Sequence, residues 1–119
     1  MTIKQCVLLF ISILLLHISY SQASLQKQSI KVYGNCGQCK KKIEKSAISA
    51  GAASADWNEK TRILNVSYDP AISNPRKIET AIAGAGYDTR NVRATDSAYY
   101  KLDKCCRYDR KKTITSKTN

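Results

Sequence analysis

An α+β sandwich is the fold that this sequence predicts, a four-stranded antiparallel sheet with two helices on one face, in the order βαββαβ. Three observations carry that reading. Two stretches repeat apolar residues at helical spacing, and each ends on glycine, at Gly51 and Gly86. Short stretches of alternating apolar and polar residues flank and separate them. Turn-forming residues punctuate the joints, most plainly Asn58-Glu59-Lys60-Thr61 and Asp69-Pro70.

The elements follow in order. Ser29 to Tyr33 alternates, with Ile30 and Val32 on one side, and reads as the first strand. A loop with two cysteines follows. Ile43, Ala47 and Ala50 then form a helical stripe, while Lys40, Lys41, Lys42 and Lys45 take the wet face. Ala53, Ala55 and Trp57 alternate as a second strand, and Leu64, Val66 and Tyr68 as a third, paired as a hairpin. Asn74 is placed to cap a helix that has Pro75 at its first position. Ile78, Ala81, Ile82 and Ala85 make the stripe of that helix. Tyr87 to Val92 is the expected fourth strand. This is the ferredoxin-like, split βαβ order. The domain is expected over residues 28–94, with Ile43, Trp57, Tyr68 and Ile78 in its core.

Residues 1–23 are expected to be a signal peptide. Lys4 is the only charge, Cys6 to Ile18 is an apolar run broken by Ser12 and His17, and small residues stand at Ser21 and Ala23. The run is short for a membrane span, and cleavage is expected after Ala23, with an uncleaved anchor as the alternative. Export sets the remaining arithmetic. The mature chain keeps four cysteines, Cys36, Cys39, Cys105 and Cys106, and has neither methionine nor histidine. Any soft-metal site in it must rest on thiolates. The formal charge of the full chain is +11. Export argues against a nucleic-acid partner, and the charge is spread out except at Lys40-Lys41-Lys42 and Arg107 to Lys112.

Residues 95–119 form an extension. Tyr99 and Tyr100 are expected to pin it to the domain, Cys105-Cys106 follows, and from Arg110 the composition is that of a disordered basic tail.

The chemistry concentrates in Val32-Tyr33-Gly34-Asn35-Cys36-Gly37-Gln38-Cys39-Lys40. Thiols at i and i+3 of a helix start can point at one spot, where unpaired N–H groups and the helix dipole favour thiolate. Such a pair is a soft-metal clamp, a redox dithiol or a plain disulfide. Cys105 and Cys106 make a disulfide, or they fold back as further thiolates, or they bridge two chains. The tail is long enough for the second option, so a third ligand or a handover thiol beside Cys36 and Cys39 is expected.

The order of elements, the Cys36-Gly37-Gln38-Cys39 pair in the first strand–helix loop, and Ala85-Gly86-Tyr87-Asp88 after the second helix carry a resemblance. Over about 65 residues the chain resembles the heavy-metal-associated domain family, which includes copper chaperones, the periplasmic mercury-binding protein and modules of metal-pumping ATPases. The resemblance implies that Cys36 and Cys39 bind Cu(I), or Hg(II) as in the mercury proteins, with Zn(II) or Cd(II) as further candidates. It places Tyr87 near the metal. Two departures stand out. The family's Gly-Met-Thr-Cys reads Tyr33-Gly34-Asn35-Cys36 here, so Gly34 lacks the methionine that plugs the loop, which implies a more mobile and exposed loop. Asn35 is expected to cap the helix in place of the threonine. The basic family pattern also lacks the Cys105-Cys106 extension.

The expected function is that of an exported, periplasmic metal carrier or sequestering protein, not an enzyme. Its partner would be a metal-transporting membrane protein or another carrier, met as a monomer or a metal-bridged dimer. Lys40, Lys41 and Lys42 would steer the loop toward an acidic partner. The alternatives are an exported thiol–disulfide protein and an adaptor domain with structural cysteines.

Overall fold

The computed structural model describes residues 1–16 and 24–110. The expected cleavage point after Ala23 and the tail beyond residue 110 lie outside the described residues. Helix α1 spans Ile3–Leu16, and among the described residues no helix is long and apolar enough to cross a membrane. The domain then runs β1 (Gln26–Lys31), α2 (Gly37–Ser49), β2 (Ala52–Trp57), β3 (Ile63–Tyr68) and α3 (Pro75–Gly84). A short helix α4 (Asp96–Tyr100) and a 3-10 turn (Lys104–Cys106) follow.

The alternating residues form the expected hairpin. Trp57 pairs with Leu64 and Ala55 with Val66, so the apolar members share one face. The sheet order is β1-β3-β2, all antiparallel. Helices α2 and α3 turn Ile43, Ala47, Ile78 and Ile82 onto that face, around a buried Trp57. Asn74 caps α3, its side chain accepting from the Lys77 N–H at 2.9 Å, with Pro75 at the first position.

Among the described residues the sheet has three strands, not the expected four. Residues after Tyr87 lie beside the end of β1 but make only one bridge, Val32 with Thr89. Two hydrogen bonds flank it: Tyr33 N–H donates to the Asp88 carbonyl at 2.9 Å, and Arg90 N–H to the Lys31 carbonyl at 3.0 Å. The chain then doubles back, because the Thr89 N–H donates to the Val92 carbonyl at 2.8 Å. Buried polar side chains hold this turn. Glu79 accepts from the Thr89 hydroxyl and from the Asn91 side-chain amide at 3.1 Å. Asp88 accepts from the Ala94 N–H at 2.8 Å. Side chains that need these partners cannot continue a regular ladder.

The extension packs onto the domain instead of standing apart. Leu102, Cys106 and Tyr108 join the same core cluster as Ile43 and Trp57. Tyr108 stacks on Tyr87 with ring centres 6.2 Å apart, and Tyr99 meets Tyr108 edge-on. The Tyr108 hydroxyl accepts from the Asp88 N–H at 2.7 Å and donates to the Gly86 carbonyl at 3.0 Å. Arg110, expected to begin a disordered tail, forms a clamp. Its guanidinium holds both Asp88 carboxylate oxygens, at 2.9 and 3.0 Å, and the Ala94 carbonyl at 2.7 Å. Its exposed branch reaches Asp96 at 2.8 Å. Gly86 makes this fit possible. Its φ of 106° suits glycine, and a Cβ there would lie 2.7 Å from the Ala98 carbonyl oxygen.

Candidate metal centre

The loop between β1 and α2 presents Cys36 at its tip. Cys36 is the N-cap of α2, in extended backbone at φ −146° and ψ 177°. Asn35 is exposed and does not cap the helix, contrary to expectation, because the cap falls one residue later. The first-turn N–H groups therefore face the Cys36 sulfur. Cys39, one turn on, is fully buried, and the two sulfurs lie 3.4 Å apart.

The missing methionine leaves no gap. Gly34 is buried against the Trp57 indole, and a Cβ at Gly34 would lie 3.1 Å from that ring. The indole N–H donates to the Val32 carbonyl at 3.0 Å, which fixes it beneath the loop. An aromatic from β2 plugs the loop here, and a glycine is needed to admit it.

The extension brings a third sulfur. Cys106, also fully buried, lies 3.9 Å from the Cys36 sulfur, and the sulfurs of Cys36, Cys39 and Cys106 all fall within 4.8 Å of one another. Cys105 is exposed. Its sulfur is 3.9 Å from that of Cys106, and its thiol donates to the Gln38 side-chain carbonyl at 3.1 Å. The described cysteines are all free thiols.

Their ionisation is uneven. Cys36 is lowered to about 7, first by the Cys39 backbone N–H, with further help from the Cys39 thiol and the Gln38 N–H. Burial raises Cys39 to about 11, and burial also raises Cys106. One thiol is primed as thiolate at neutral pH, and two sheltered thiols wait to be deprotonated by a bound cation.

The remaining expected residues fall as follows. Tyr87 is buried beside the cluster, and its hydroxyl makes no hydrogen bond among the described residues. Its pKa is raised, first by burial and then by the Cys106 sulfur. Lys40 is partly exposed and pairs with Glu44 and Asp56, each at 2.6 Å. Lys42 reaches Asp103 of the extension at 3.3 Å, and Lys41 is exposed. Tyr99 packs against the core cluster, and its hydroxyl donates to the Tyr108 carbonyl at 2.6 Å, a bond within the extension. Tyr100 is 63 % exposed and lies edge-on to Tyr99. Sequence reasoning missed Trp57 beneath the loop and the Tyr108–Arg110 clamp.

A family model for the heavy-metal-associated domain matches residues 35–88. Among solved structures, the CopZ metallochaperone is 30 % identical, with a TM-score of 0.51 over 54 % of this chain and 98 % of CopZ. Oxidized MerP from Ralstonia metallidurans CH34 is 28 % identical, with a TM-score of 0.52 over 56 % of this chain and 94 % of MerP. The N-terminal domain of a potential copper-translocating P-type ATPase from Bacillus subtilis, in its Cu(I)-loaded state, is 25 % identical. Its TM-score is 0.52, over 56 % of this chain and 85 % of that domain. No curated protein gives a significant match. Matched over nearly the whole of CopZ, and by the family's own model across the cysteine loop, the chain belongs to the heavy-metal-associated domain family.

Proposed function

We propose that this chain is an exported carrier or sequestering protein for a soft metal ion, Cu(I) or Hg(II), held by Cys36, Cys39 and Cys106. One observation carries the reading: three sulfurs from two separate segments converge within 4.8 Å. Three thiolates suit ions content with low coordination, whereas Zn(II) in a structural site asks for a fourth ligand. Beyond residue 23 the sequence has no histidine to supply one, and the fourth thiol, Cys105, is exposed and lies outside the three that converge. The Tyr87 hydroxyl is a buried donor beside these sulfurs, suited to a thiolate once it forms. A low-coordinate thiolate site exchanges its ion by attack of an incoming thiolate, so transfer needs no free ion. The relatives named as a metallochaperone and as an ATPase domain support a metal transporter or a second carrier as the partner.

The test is an anaerobic, reducing Cu(I) titration of the mature chain. One equivalent should bind tightly, and the double variant Cys36→Ser, Cys39→Ser should lose that binding, because neutral hydroxyls do not replace soft thiolates. Retained affinity in the double variant refutes the site. No Cu(I) uptake, together with a Cys36–Cys39 disulfide that forms in a glutathione redox buffer and exchanges rapidly with added thiol, would favour the thiol–disulfide alternative. Export is tested by the mass of protein recovered from its host, expected to begin at Ser24; a full-length mass overturns it.

A further inference from the structure

Three of the four thiols beyond the first helix, Cys36, Cys39 and Cys106, make a triangle with every side within 4.8 Å, and Cys105 stands outside it beside Cys106. Cys105, exposed, is 3.9 Å from Cys106. Cys106, buried, is 3.9 Å from Cys36, which is 3.4 Å from buried Cys39. Each step is short enough for one soft ion to touch two successive sulfurs. The outermost member is held: the Cys105 thiol donates to the Gln38 carbonyl oxygen at 3.1 Å, so the sulfur is kept over the start of α2. Cys36 is less open than its place at a loop tip suggests. The Cys105 carbonyl oxygen lies 3.8 Å from its sulfur, so the extension covers one approach to it.

A resting ligand set made of Cys36, Cys39 and Cys106 leaves Cys105 without a holding role. We propose that Cys105 is the capture thiol, the sulfur on which a soft metal ion first lands and from which it leaves. This rests on the metal-carrier reading above. On uptake, a Cu(I)–Cys105 bond forms as one bond to the delivering ligand breaks, and the thiol proton goes to solvent. Cys106 then bonds the ion, its thiol proton passing to solvent, as the second delivering bond breaks. Cys36 and then Cys39 bond the ion, giving up any thiol proton to solvent, while Cys105 lets go and is reprotonated from solvent. The ion stays Cu(I) throughout, so no oxidant or reductant is needed. Ejection to a partner thiol runs the same steps backward. The vicinal pair explains why the extension carries two cysteines where one would complete the buried set.

The test uses the mature chain and Cu(I) delivered as its bicinchoninate complex under anaerobic conditions. Stopped-flow loss of the complex gives the uptake rate, and equilibrium competition with the same chelator gives affinity. Cys105→Ser should slow uptake by about tenfold or more while shifting affinity by less than about threefold, since it removes a landing ligand and not a holding one. Cys106→Ser should weaken affinity clearly. An uptake rate for Cys105→Ser within about twofold of the wild type overturns the proposal and leaves the carrier reading intact. So does a loss of affinity as large as that of Cys106→Ser, which would make Cys105 a fourth ligand. A wild-type chain that takes up no Cu(I) sinks the carrier reading itself, and the capture thiol with it.

Discussion

Deleting a single oxygen, in Tyr108→Phe, tests whether the extension is built to hold Cys106 over the cysteine loop. The ring and its stacking on Tyr87 and Tyr99 are preserved. What disappears is the partner of two buried main-chain groups, the Asp88 N–H at 2.7 Å and the Gly86 carbonyl at 3.0 Å. Stranding a buried polar group costs ~1–3 kcal/mol, so with two stranded the docked state should lose about 2–6 kcal/mol in all. At about 1.4 kcal/mol per tenfold, release of the extension becomes at least ~30-fold more frequent, and up to ~20,000-fold. The readout must avoid the groups the mutation touches. The Leu102 N–H bonds the Tyr99 carbonyl at 3.0 Å, and the Cys106 N–H bonds the Asp103 carbonyl at 2.8 Å, both wholly within the extension. Their amide hydrogen exchange, followed by NMR, should accelerate by that factor, while amides of β3 slow or hold relative to them. If Leu102 and Cys106 exchange at the wild-type rate, Tyr108 does not fasten the extension, and the argument for a built third ligand fails at its base.

Two further outcomes follow from the loop. Alkylation of the metal-free protein should rise with pH, because the thiolate is the reactive form. Cys36 should reach half its limiting rate near pH 7, where its thiolate becomes the major species, and Cys39 only toward pH 11. Peptide-resolved mass spectrometry would show it, and equal rates for the two at pH 8 would contradict the geometry. Restoring the family's methionine by Gly34→Met should destabilise the domain by about 1–3 kcal/mol, since Trp57 already fills the space beneath the loop. A urea midpoint that rises in this variant would show that the gap is real.

Much of this was legible because it depends on neighbours in sequence. The Trp57–Leu64 hairpin register follows from alternation across a short turn, and the Asn74–Pro75 start of α3 follows from its cap. Cys36 and Cys39 meet because i and i+3 meet at any helix start. The rest depends on contacts between distant segments. Thr89 carries a strand-forming residue type, yet its hydroxyl answers to Glu79, ten positions earlier, and the strand ends there. Arg110 reads as one more charge in a basic tail until the buried Asp88 is seen accepting two hydrogen bonds from its guanidinium. Gly34 reads as a lost side chain until Trp57 is found occupying its place.

The early turn at Thr89 leaves a mark on the far side of the molecule from the sulfurs. A full fourth strand would have covered the outer rim of β1; instead only its end is bridged, at Val32. Main-chain donors and acceptors along Gln26 to Ser29 therefore face outward, a template on which a second copy could add a strand and begin a stack. The side chains there are Gln26, Lys27, Gln28 and Ser29, all exposed and none apolar. Lys27 makes edge-to-edge stacking of two copies a meeting of like charges. Among the described residues nothing else pairs with that rim, and Lys27 stands guard on an edge left unpaired when the chain turned at Thr89.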